Sequence, residues 1–580
     1  MATFYIEAIE NTTITLKKNG SPTVGTAKYG INNTSPSTTY TYGNNISLTA
    51  GQKCYWTITS TTTAFSSSSY LYFTSTGRFN VGGALSDLIG GNTSIPRNYC
   101  FFKLFNGCSK LVSASNLTLL SALNSKTYCY YNMFYNCTSL TQAPALPATS
   151  LTDYCYYYMF YGCTSLTQAP ALPATTLANG CYANMFYNCT SLTQAPALPA
   201  TSLANYCYYY MFYNCASLTQ APTLPATTLA GNCYYNMFYG CTSLTQAPEL
   251  PATSLADHCY DSMFRACISL TQAPDLPATT LANYCYYYMF EGCTSLTQAS
   301  ALPATSLTDY CYHCMFYNCI SLTQAPALPA TTLAPYCCDY MFYGCISLTQ
   351  APALPATSLT DYCYAYMFRG CVSLTQAPAL PATTLANYCY SYMFYECVSL
   401  TQAPALLPAT TLAPYCYQYM FYDCTSLIEA PALPATTLAN YCYSYMFQNC
   451  TSLAQAPELP ATSLTDSCYY YMFYGCKNIK LSETQIDNYQ TLYRIPTSGT
   501  GTVNSNSLNL MFAGSSGTWR GKNTPEINKT YYMDTTPPPT PGAGVSVKYN
   551  GSEIANFSEG KRILKCADKK MATDVEISVQ

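Results

Sequence analysis

The stretch DYCYYYMFYGCTSLTQAPALPATTL, residues 153–177, is one unit of a repeat that runs through most of the chain. Its first cysteine, Cys155, recurs every 26 residues, and a second cysteine follows eight residues after the first in each unit. The spacing changes once, to 27 residues, where the pair Leu406-Leu407 carries one extra residue. A fixed period of this size is typical of a solenoid, whose units bury their apolar faces against their neighbours. We therefore expect about 15 stacked coils within residues 93–480, forming an extended surface suited to binding.

The first half of the unit predicts a two-turn helix. Asp153 is a good N-cap, because its side-chain oxygen can accept hydrogen bonds from free backbone N–H groups. Cys155, Met159 and Cys163 follow at a spacing that puts them on one helical face. Gly162 has the residue type needed for a left-handed stop. Asn or Asp at the first place and Gly or Asn at the last recur in most units.

The second half of the unit predicts a short strand. Residues 166–168 form an extended run, and Pro170 cannot donate a ladder hydrogen bond beyond them. We expect a short parallel strand there, with residues 173–177 returning the chain on the opposite side. The expected fold class is a repeat solenoid of short parallel strands plus short helices.

The run Met159-Phe160-Tyr161-Gly162-Cys163-Thr164-Ser165-Leu166 resembles the core of the BspA-like (Treponema-type) leucine-rich repeats. There a unit of the form Ala-Phe-x-x-Cys-x-x-Leu-x-x-Ile-x-Leu-Pro recurs. This chain departs from it by Met in place of Ala, an added proline and a longer unit. The resemblance covers about residues 95–480 and implies a leucine-rich-repeat-like fold. It also implies adhesion and binding at surfaces, without shared catalytic residues.

The flanking segments lie outside the repeat. Residues 1–92 are rich in Thr, Ser and Tyr in short alternating runs, which predicts an N-terminal β domain. Residues 481–534 are interpreted as a C-terminal cap and the proline-rich residues 535–544 as a linker. Alternation within residues 545–580 predicts a small C-terminal β module. The solenoid is thus expected to be flanked by small β domains.

The composition argues against a charged partner. Only 8% of the residues are charged, the net charge is -3, and tyrosine occurs 61 times. Nucleic-acid and anionic-membrane binding depend on a basic surface, so neither is expected. An uncharged surface rich in hydroxyl and amide groups suits a neutral glycan or a neutral protein epitope better.

The units differ at four places, which are two, three and six after the first cysteine and the place before the Leu-Pro pair, while the Cys, Met-Phe and Leu-Pro positions hardly change. On the predicted helix the first three variable places face away from Met-Phe, so we expect them to be exposed. Tyrosine dominates them and offers large, rigid contact area with a polar tip. The alternative is drift on a tolerant surface, and which face binds is left open. The candidate binding residues are Tyr157, Tyr158, Tyr161, Tyr209, Tyr210, Tyr213, Tyr287, Tyr288, Tyr470 and Tyr471.

Catalytic and metal-binding motifs are missing from the sequence. There are two histidines, His258 and His313, and no triad, HExxH or phosphate-loop pattern. The cluster Cys311-Tyr-His313-Cys314 is explained more simply by substitutions at two repeat positions. We therefore expect no enzyme activity, no cofactor and no metal. On a helix, cysteines eight residues apart lie ~12 Å from each other, too far for a disulfide. We expect buried free thiols, with pairing between stacked copies as the alternative.

The amino-terminal sequence shows no secretory signal peptide, and no run of apolar residues predicts a transmembrane helix. An extracellular binding role without an export signal is typical of phage structural proteins. Residues 547–556 and 564–575 look like a small β module at the ends of tailed-phage virion proteins. Residues 70–81 are similar to segments preceding such repeats in phage and gut-bacterial proteins.

These resemblances imply a tail or head fibre of a virion, assembled in the host cytoplasm and acting outside the cell. Its solenoid would adhere to a host-cell surface protein or a neutral glycan. Its terminal β domains would contact other virion proteins, and the sequence leaves homo-oligomerisation open. One alternative is a cell-surface adhesin of a gut bacterium or protist. A second is a passive spacer within a virion.

Overall fold

The computed structural model describes residues 3–22, 24–59, 65–479, 481–514 and 523–534, and the backbone of three further strands within 545–579. The predicted linker, residues 535–544, and most of the 564–575 motif lie outside the described residues. Within the described residues, no helix is long and apolar enough to cross a membrane.

The amino-terminal region is built from two sheets. One sheet has the strand order β4-β3-β6-β1-β8-β9, in which only β8 and β9 run parallel, and the other has the order β5-β2-β7. Trp56, Phe4 and Phe73 are fully buried in its core. The strands are β1 Tyr5–Ala8, β2 Thr12–Asn19, β3 Ala27–Ile31, β4 Thr38–Thr39, β5 Ile46–Leu48, β6 Lys53–Ile58, β7 Tyr70–Ser75, β8 Phe79–Ala84 and β9 Leu111–Thr118.

The repeats stack onto this region as a solenoid, but their first halves are not helices. The prediction of a two-turn helix is wrong: among the described residues the helical element is a short 3₁₀ helix, Leu85–Ile89, before the repeats. Each first half is instead a chain of overlapping turns. The N–H of Met159 donates to the carbonyl of Tyr156 three residues earlier, at 3.1 Å.

Alternate N–H groups leave the coil altogether. Tyr156 donates to the carbonyl of Cys181 at 3.0 Å, and Tyr158 donates to that of Ala183 at 3.1 Å, both in the next coil. An α-helix would use these groups within its own turn, so helix and inter-coil bonding exclude each other. The backbone N–H groups of each coil are thus satisfied by carbonyls of the next coil. That coil lies at a fixed distance because the repeat length is constant.

Left-handed backbone recurs every fourth residue along this turn segment. Tyr154, Tyr158 and Gly162 have φ values of 54°, 56° and 68°. The left-handed conformation at Gly162 agrees with the sequence-based expectation, although no helix ends there. For a non-glycine residue this backbone costs roughly 1–2 kcal/mol. An inter-coil hydrogen bond of ~1 kcal/mol and ring stacking of ~1 kcal/mol together offset that cost.

This geometry predicts an unusual substitution pattern at Tyr158. Tyr158→Ile is expected to destabilise the chain by about 1–2 kcal/mol more than Tyr158→Asn, because β-branched residues tolerate positive φ least. In an α-helix the two substitutions would cost similar amounts. Urea unfolding of both variants measures the difference, with the same pair at Tyr157, whose φ is not positive, as the control. Equal costs at Tyr158 would contradict the turn geometry.

The predicted N-cap side chains bond between coils. The Oδ1 of Asp153 accepts from the backbone N–H of Asn179 at 3.0 Å, and Asn205 accepts likewise from Gly231 at 3.0 Å. The capping role expected for Asp153 within its own unit is therefore wrong. The short side-chain oxygen is needed, but the N–H it satisfies belongs to the following coil.

The strand side of each coil is reduced to isolated parallel bridges. Gln168 pairs with Gln194, and Ser150 pairs with Thr176 on a second side. The expected strand at residues 166–168 is thus one bridging residue long. Pro170 follows within two residues and has no N–H to extend a ladder.

The interior is a set of side-chain columns. Phe160 is fully buried and stacks on Phe134 and Phe186, with ring centroids 5.5 and 5.7 Å away. The second cysteine of each coil donates its thiol to a phenylalanine carbonyl of the preceding coil, as Cys163 does to Phe134 at 3.1 Å. These cysteines are therefore hydrogen-bond donors as well as small apolar side chains.

Every cysteine of the described residues is buried and free. The turn segment keeps the two cysteines of a coil in separate columns, so the free-thiol expectation agrees with this structure although its helical premise is wrong. Burial raises the pKa of the Cys155 thiol to about 12. A thiol with such a pKa is almost entirely protonated at neutral pH and is a poor nucleophile.

Both ends of the solenoid are covered. At the amino-terminal end Phe73 of β7 stacks on Phe105 with centroids 5.5 Å apart and begins the phenylalanine column. At the other end residues 502–513 form a further coil, in which Met511 accepts the N–H of Phe473 at 2.9 Å. An antiparallel sheet of order β10-β12-β11 follows, and a separate antiparallel sheet has the order β14-β13-β15. These strands are β10 Leu481–Ser482, β11 Tyr489–Arg494, β12 Thr530–Asp534, β13 Val545–Tyr549, β14 Ser552–Phe557 and β15 Val575–Val579.

Candidate binding surface

One side of the solenoid is formed by four columns of mostly aromatic side chains, which we call the tyrosine face. In each coil they stand one residue before the first cysteine and two, three and six residues after it. In the coil of Cys155 they are Tyr154, Tyr157, Tyr158 and Tyr161. The turn segment produces this arrangement because its inward positions, Cys155, Tyr156, Met159 and Phe160, are all fully buried.

The rings of a column lie face to face from coil to coil. Tyr161 stacks on Tyr135 at 4.6 Å and on Tyr187 at 4.7 Å, and Tyr187 stacks on Tyr213 at 4.4 Å. Rings of adjacent columns meet edge to face, as Tyr157 and Tyr158 do at 4.3 Å. A ring face used by a neighbour is closed to a ligand, so what remains available is the outer edge with its hydroxyl.

The ten candidate residues chosen from the sequence all lie on this face, and each is half-buried. The expectation that these positions are exposed is wrong, because neighbouring rings cover them in part. Tyr161 and Tyr213 have a stacked ring on each face, while Tyr157 and Tyr209 have one stacked ring each. Small or acidic residues two places after the first cysteine are buried outright, as at Ala183 and Asp261. The candidates brought together are Tyr157, Tyr158 and Tyr161 with Tyr209, Tyr210 and Tyr213 two coils on, then Tyr287 with Tyr288, and Tyr470 with Tyr471.

Sequence reasoning missed the column that precedes the first cysteine. It was interpreted as the start of a helix, yet its tyrosines stack as regularly as the others. Tyr310 lies 4.7 Å from both Tyr284 and Tyr336, and Tyr362 lies 4.7 Å from Tyr336. The recurrence of Tyr at this place was the available signal, and only the left-handed backbone makes it an outward position.

Burial on this face raises the pKa of several of its tyrosines. Burial, followed by the neighbouring hydroxyls, raises the pKa of Tyr131, and that of Tyr362, to about 12. Tyr161 shares a hydrogen bond with Tyr135, and burial first and this hydroxyl second raise its pKa. The face therefore presents neutral donors and acceptors at physiological pH.

A polar patch interrupts the columns near the middle of the solenoid. Arg265 and Glu291, in consecutive coils, form a two-point ion pair with N–O distances of 2.7 and 3.1 Å. In the same coil as Arg265, Asp261 accepts from Ser262 at 2.8 Å and lies 2.8 Å from the Nδ1 of His258. Ser262 and His258 both contact the carboxylate of Asp261. The histidine therefore does not activate the serine, and the three residues are not a catalytic triad.

His313 and Asp339 form a second polar contact in this region, with Nδ1 3.6 Å from Oδ2. Burial lowers the pKa of His313 to about 4 and raises the pKa of Asp339 to about 9. Both groups are thus uncharged at neutral pH. Among the described residues no group of three or more His, Cys, Asp or Glu side chains is arranged to hold a metal ion.

Comparison with known proteins identifies the class of this solenoid. The family described as BspA type leucine rich repeat region (6 copies) matches overlapping stretches that together span more than half of the chain. The chain therefore belongs to the BspA-type leucine-rich-repeat family, and the resemblance seen in the sequence is confirmed. The matched residues are 102–219, 172–296, 206–349, 287–427 and 335–480.

Among solved structures, a leucine-rich repeat protein from Bacteroides ovatus is similar at 19% identity, covering 57% of this chain and 80% of its own, with a TM-score of 0.34. A TLR13–ssRNA13 complex matches at 14% identity, covering 60% of this chain and 42% of its own, with a TM-score of 0.21. No curated protein matches the chain significantly. Leucine-rich-repeat proteins are generally non-enzymatic binding proteins.

Proposed function

We propose that this chain is an adhesion protein whose tyrosine face contacts a neutral glycan or a neutral protein surface on a host cell. The observation that carries the proposal is the alignment of tyrosine columns over consecutive coils, as in Tyr135, Tyr161, Tyr187 and Tyr213. Their hydroxyl edges repeat at the coil spacing, and stacking holds them rigid before any ligand arrives. Rigid aromatic side chains with polar tips bind at a low cost in conformational entropy.

Repetition gives such a surface its affinity. A single hydroxyl contact contributes ~1 kcal/mol, which alone is too weak for stable attachment. Many equivalent contacts along one solenoid act together once the first is made, because the remaining ones become intramolecular. A repeating glycan, or a dense layer of one receptor, is the partner that uses this property best.

We further propose that the chain works as a fibre or another appendage of a tailed-phage virion. The support is the resemblance of residues 547–556 and 564–575 to terminal modules of such proteins, and a β region at each end of the solenoid. In this arrangement the terminal regions attach to other virion proteins, and the solenoid faces the host. A cell-surface adhesin would use the same face, so immunogold labelling of virions and of whole cells separates the two settings.

The binding role is tested by removing hydroxyls without disturbing the stack. Replacing Tyr161, Tyr187 and Tyr213 with Phe is expected to weaken attachment of the labelled chain to host cells at least tenfold, at about 1 kcal/mol for each hydroxyl lost. The melting temperature should change little, since the rings remain. Because few charges are involved, attachment should fall only slightly between low and physiological salt.

The matched control replaces Gln168, Gln194 and Gln220 with Ala. These glutamines form a column in the same three coils, are exposed, and lie outside the tyrosine face. Attachment should survive this change. Loss of attachment in the glutamine variant but not in the tyrosine variant would move the binding surface to the strand side. If neither side of the solenoid attaches to cells while the terminal regions keep full activity, the solenoid is only a spacer.

A further inference from the structure

The column six residues after the first cysteine carries tyrosine in most coils, and arginine replaces it twice, at Arg265 and Arg369. The two arginines have different surroundings. Arg265 has Glu291 in the same column of the next coil, and the pair is closed by two N–O contacts of 2.7 and 3.1 Å. Arg369 has Tyr395 in that place, and none of the described residues forms an ion pair with it.

Arg369 is held among tyrosine rings. Its guanidinium carbon lies 4.3 Å from the ring centroid of Tyr395, 5.5 Å from that of Tyr343 and 6.0 Å from that of Tyr392. Ring faces attract the cation through their quadrupoles, so the rings fix the position of the guanidinium. The rings are weak hydrogen-bond acceptors, which leaves the two terminal NH2 groups of the guanidinium available to another group.

Arg369 has a buried N–H donor without an acceptor in the described part of the chain. This donor is its Nε. An arginine has five N–H donors, and a buried donor without an acceptor is costly. Because the Nε is buried, an outside group would contact the two terminal NH2 groups, which carry this fixed positive charge on an otherwise nearly uncharged surface.

We propose that Arg369 and its surrounding tyrosines form a subsite for the carboxylate of an acidic sugar, such as a uronic acid unit. A carboxylate matches the guanidinium fork with two parallel hydrogen bonds. The rings of Tyr343, Tyr392 and Tyr395 lie around the guanidinium, and tyrosine hydroxyls can hydrogen-bond the hydroxyl groups of the same sugar ring. This inference rests on the proposed function and adds one charged unit to a glycan that is otherwise recognised by neutral contacts.

A carboxylate fits this site better than a phosphate monoester. A phosphate monoester carries nearly two negative charges at neutral pH, and Arg369 stands alone here, with the acidic Glu396 exposed in the next coil. One arginine balances one carboxylate. The same neighbourhood predicts that Glu396→Gln, which removes a competing negative charge, strengthens binding of the acidic sugar.

The test compares two disaccharides that differ at one group, one ending in glucuronic acid and the other in glucose, by NMR titration against the full chain. The acid is expected to bind about tenfold more tightly, as for one charge-assisted fork. Arg369→Tyr restores the residue that most coils carry at this place, so it should fold normally. It should remove the preference, so that the two disaccharides bind with equal affinity.

The control is the double variant Arg265→Tyr with Glu291→Tyr, which removes the closed ion pair and should keep the full preference. Equal affinity for the two disaccharides in the unmodified chain, or a preference that survives Arg369→Tyr, would overturn the subsite while the binding role of the tyrosine face stands. Binding of neither disaccharide would overturn both the subsite and the glycan form of the proposed function. Tighter, Arg369-dependent binding of a short acidic peptide would assign the carboxylate to a protein instead.

Discussion

Phe264→Ala is expected to lower the free energy of unfolding by about 3–5 kcal/mol, as for the loss of a fully buried aromatic side chain. Phe264 is fully buried and stacks on Phe238 at 5.6 Å and on Phe290 at 5.7 Å. Truncation removes its apolar burial and leaves a cavity that the column cannot fill. Each coil is held by its neighbours, so the adjacent coils on either side cannot close the gap without losing their own backbone bonds.

Urea unfolding gives the magnitude, and amide hydrogen exchange locates it. Protection should fall first at the N–H groups that bond to this coil, such as that of Phe238, which donates to Met263 at 2.9 Å. Ile268→Ala is the control, because Ile268 is 44% exposed in the same coil and should cost well under 1 kcal/mol. Similar losses in the two variants would mean that the phenylalanine column does not hold the solenoid together.

Asp339→Asn is expected to stabilise the chain between pH 7 and 9, by roughly 3 kcal/mol or more at the upper end. Asp339 is 3% exposed, and one of its carboxyl oxygens has no hydrogen-bond partner among the described residues. Burial raises its pKa from 3.8 to about 9. The folded chain therefore keeps a proton that the unfolded chain releases at neutral pH.

The sign follows from that difference. The contribution of Asp339 is fully favourable below about pH 4 and is lost progressively as the pH rises through about 9. His313 acts in the opposite direction, since its lowered pKa of about 4 makes stability fall as the pH drops below 6.5. Between pH 7 and 9 His313 is neutral in both states, but the buried thiols also contribute, because burial raises the pKa of groups such as Cys155 to about 12 while an unfolded thiol ionises at about pH 8.5. The difference in slope between the unmodified chain and Asp339→Asn therefore reports on Asp339.

Thermal unfolding at several pH values measures this slope. Asp361→Asn is the control, because Asp361 is exposed and its Oδ1 only accepts the N–H of Asn387 at 2.9 Å, which an amide oxygen does equally well. The control should leave the slope unchanged. A slope that is the same with and without the Asp339 carboxyl would show that this carboxyl is already ionised in the folded chain.

The repeat length and the nature of the inward residues could be predicted without a structure. The recurrence of Cys155, Met159, Phe160 and Cys163 at constant spacing requires that equivalent side chains stack, and they do. The family could be predicted for the same reason, because the Phe-x-x-Cys-x-x-Leu core is local. The left-handed backbone at Gly162 was also predictable, since glycine is the residue that adopts it most readily.

The candidate site was predicted only in part. Its residue type and three of its four columns came from comparing units, but the column of Tyr310 and Tyr336 was missed and the degree of exposure was wrong. Ring stacking is a contact between residues 26 positions apart, and a single unit contains no sign of it. Pairing of Arg265 with Glu291, and the lack of such a partner at Arg369, likewise depend on which residues face each other across coils.

The period, the core residues and the membership in the BspA-type leucine-rich-repeat family can all be read from the chain of amino acids. The contacts between coils determine that the unit begins with turns and not with a helix. The reason is a competition for the same N–H groups: that of Tyr158 bonds either within its own helix or to Ala183 in the next coil, at 3.1 Å here. Local sequence favours the helix, and the stacked neighbour, present only in the folded solenoid, makes the turn segment with its tyrosine face the more stable choice.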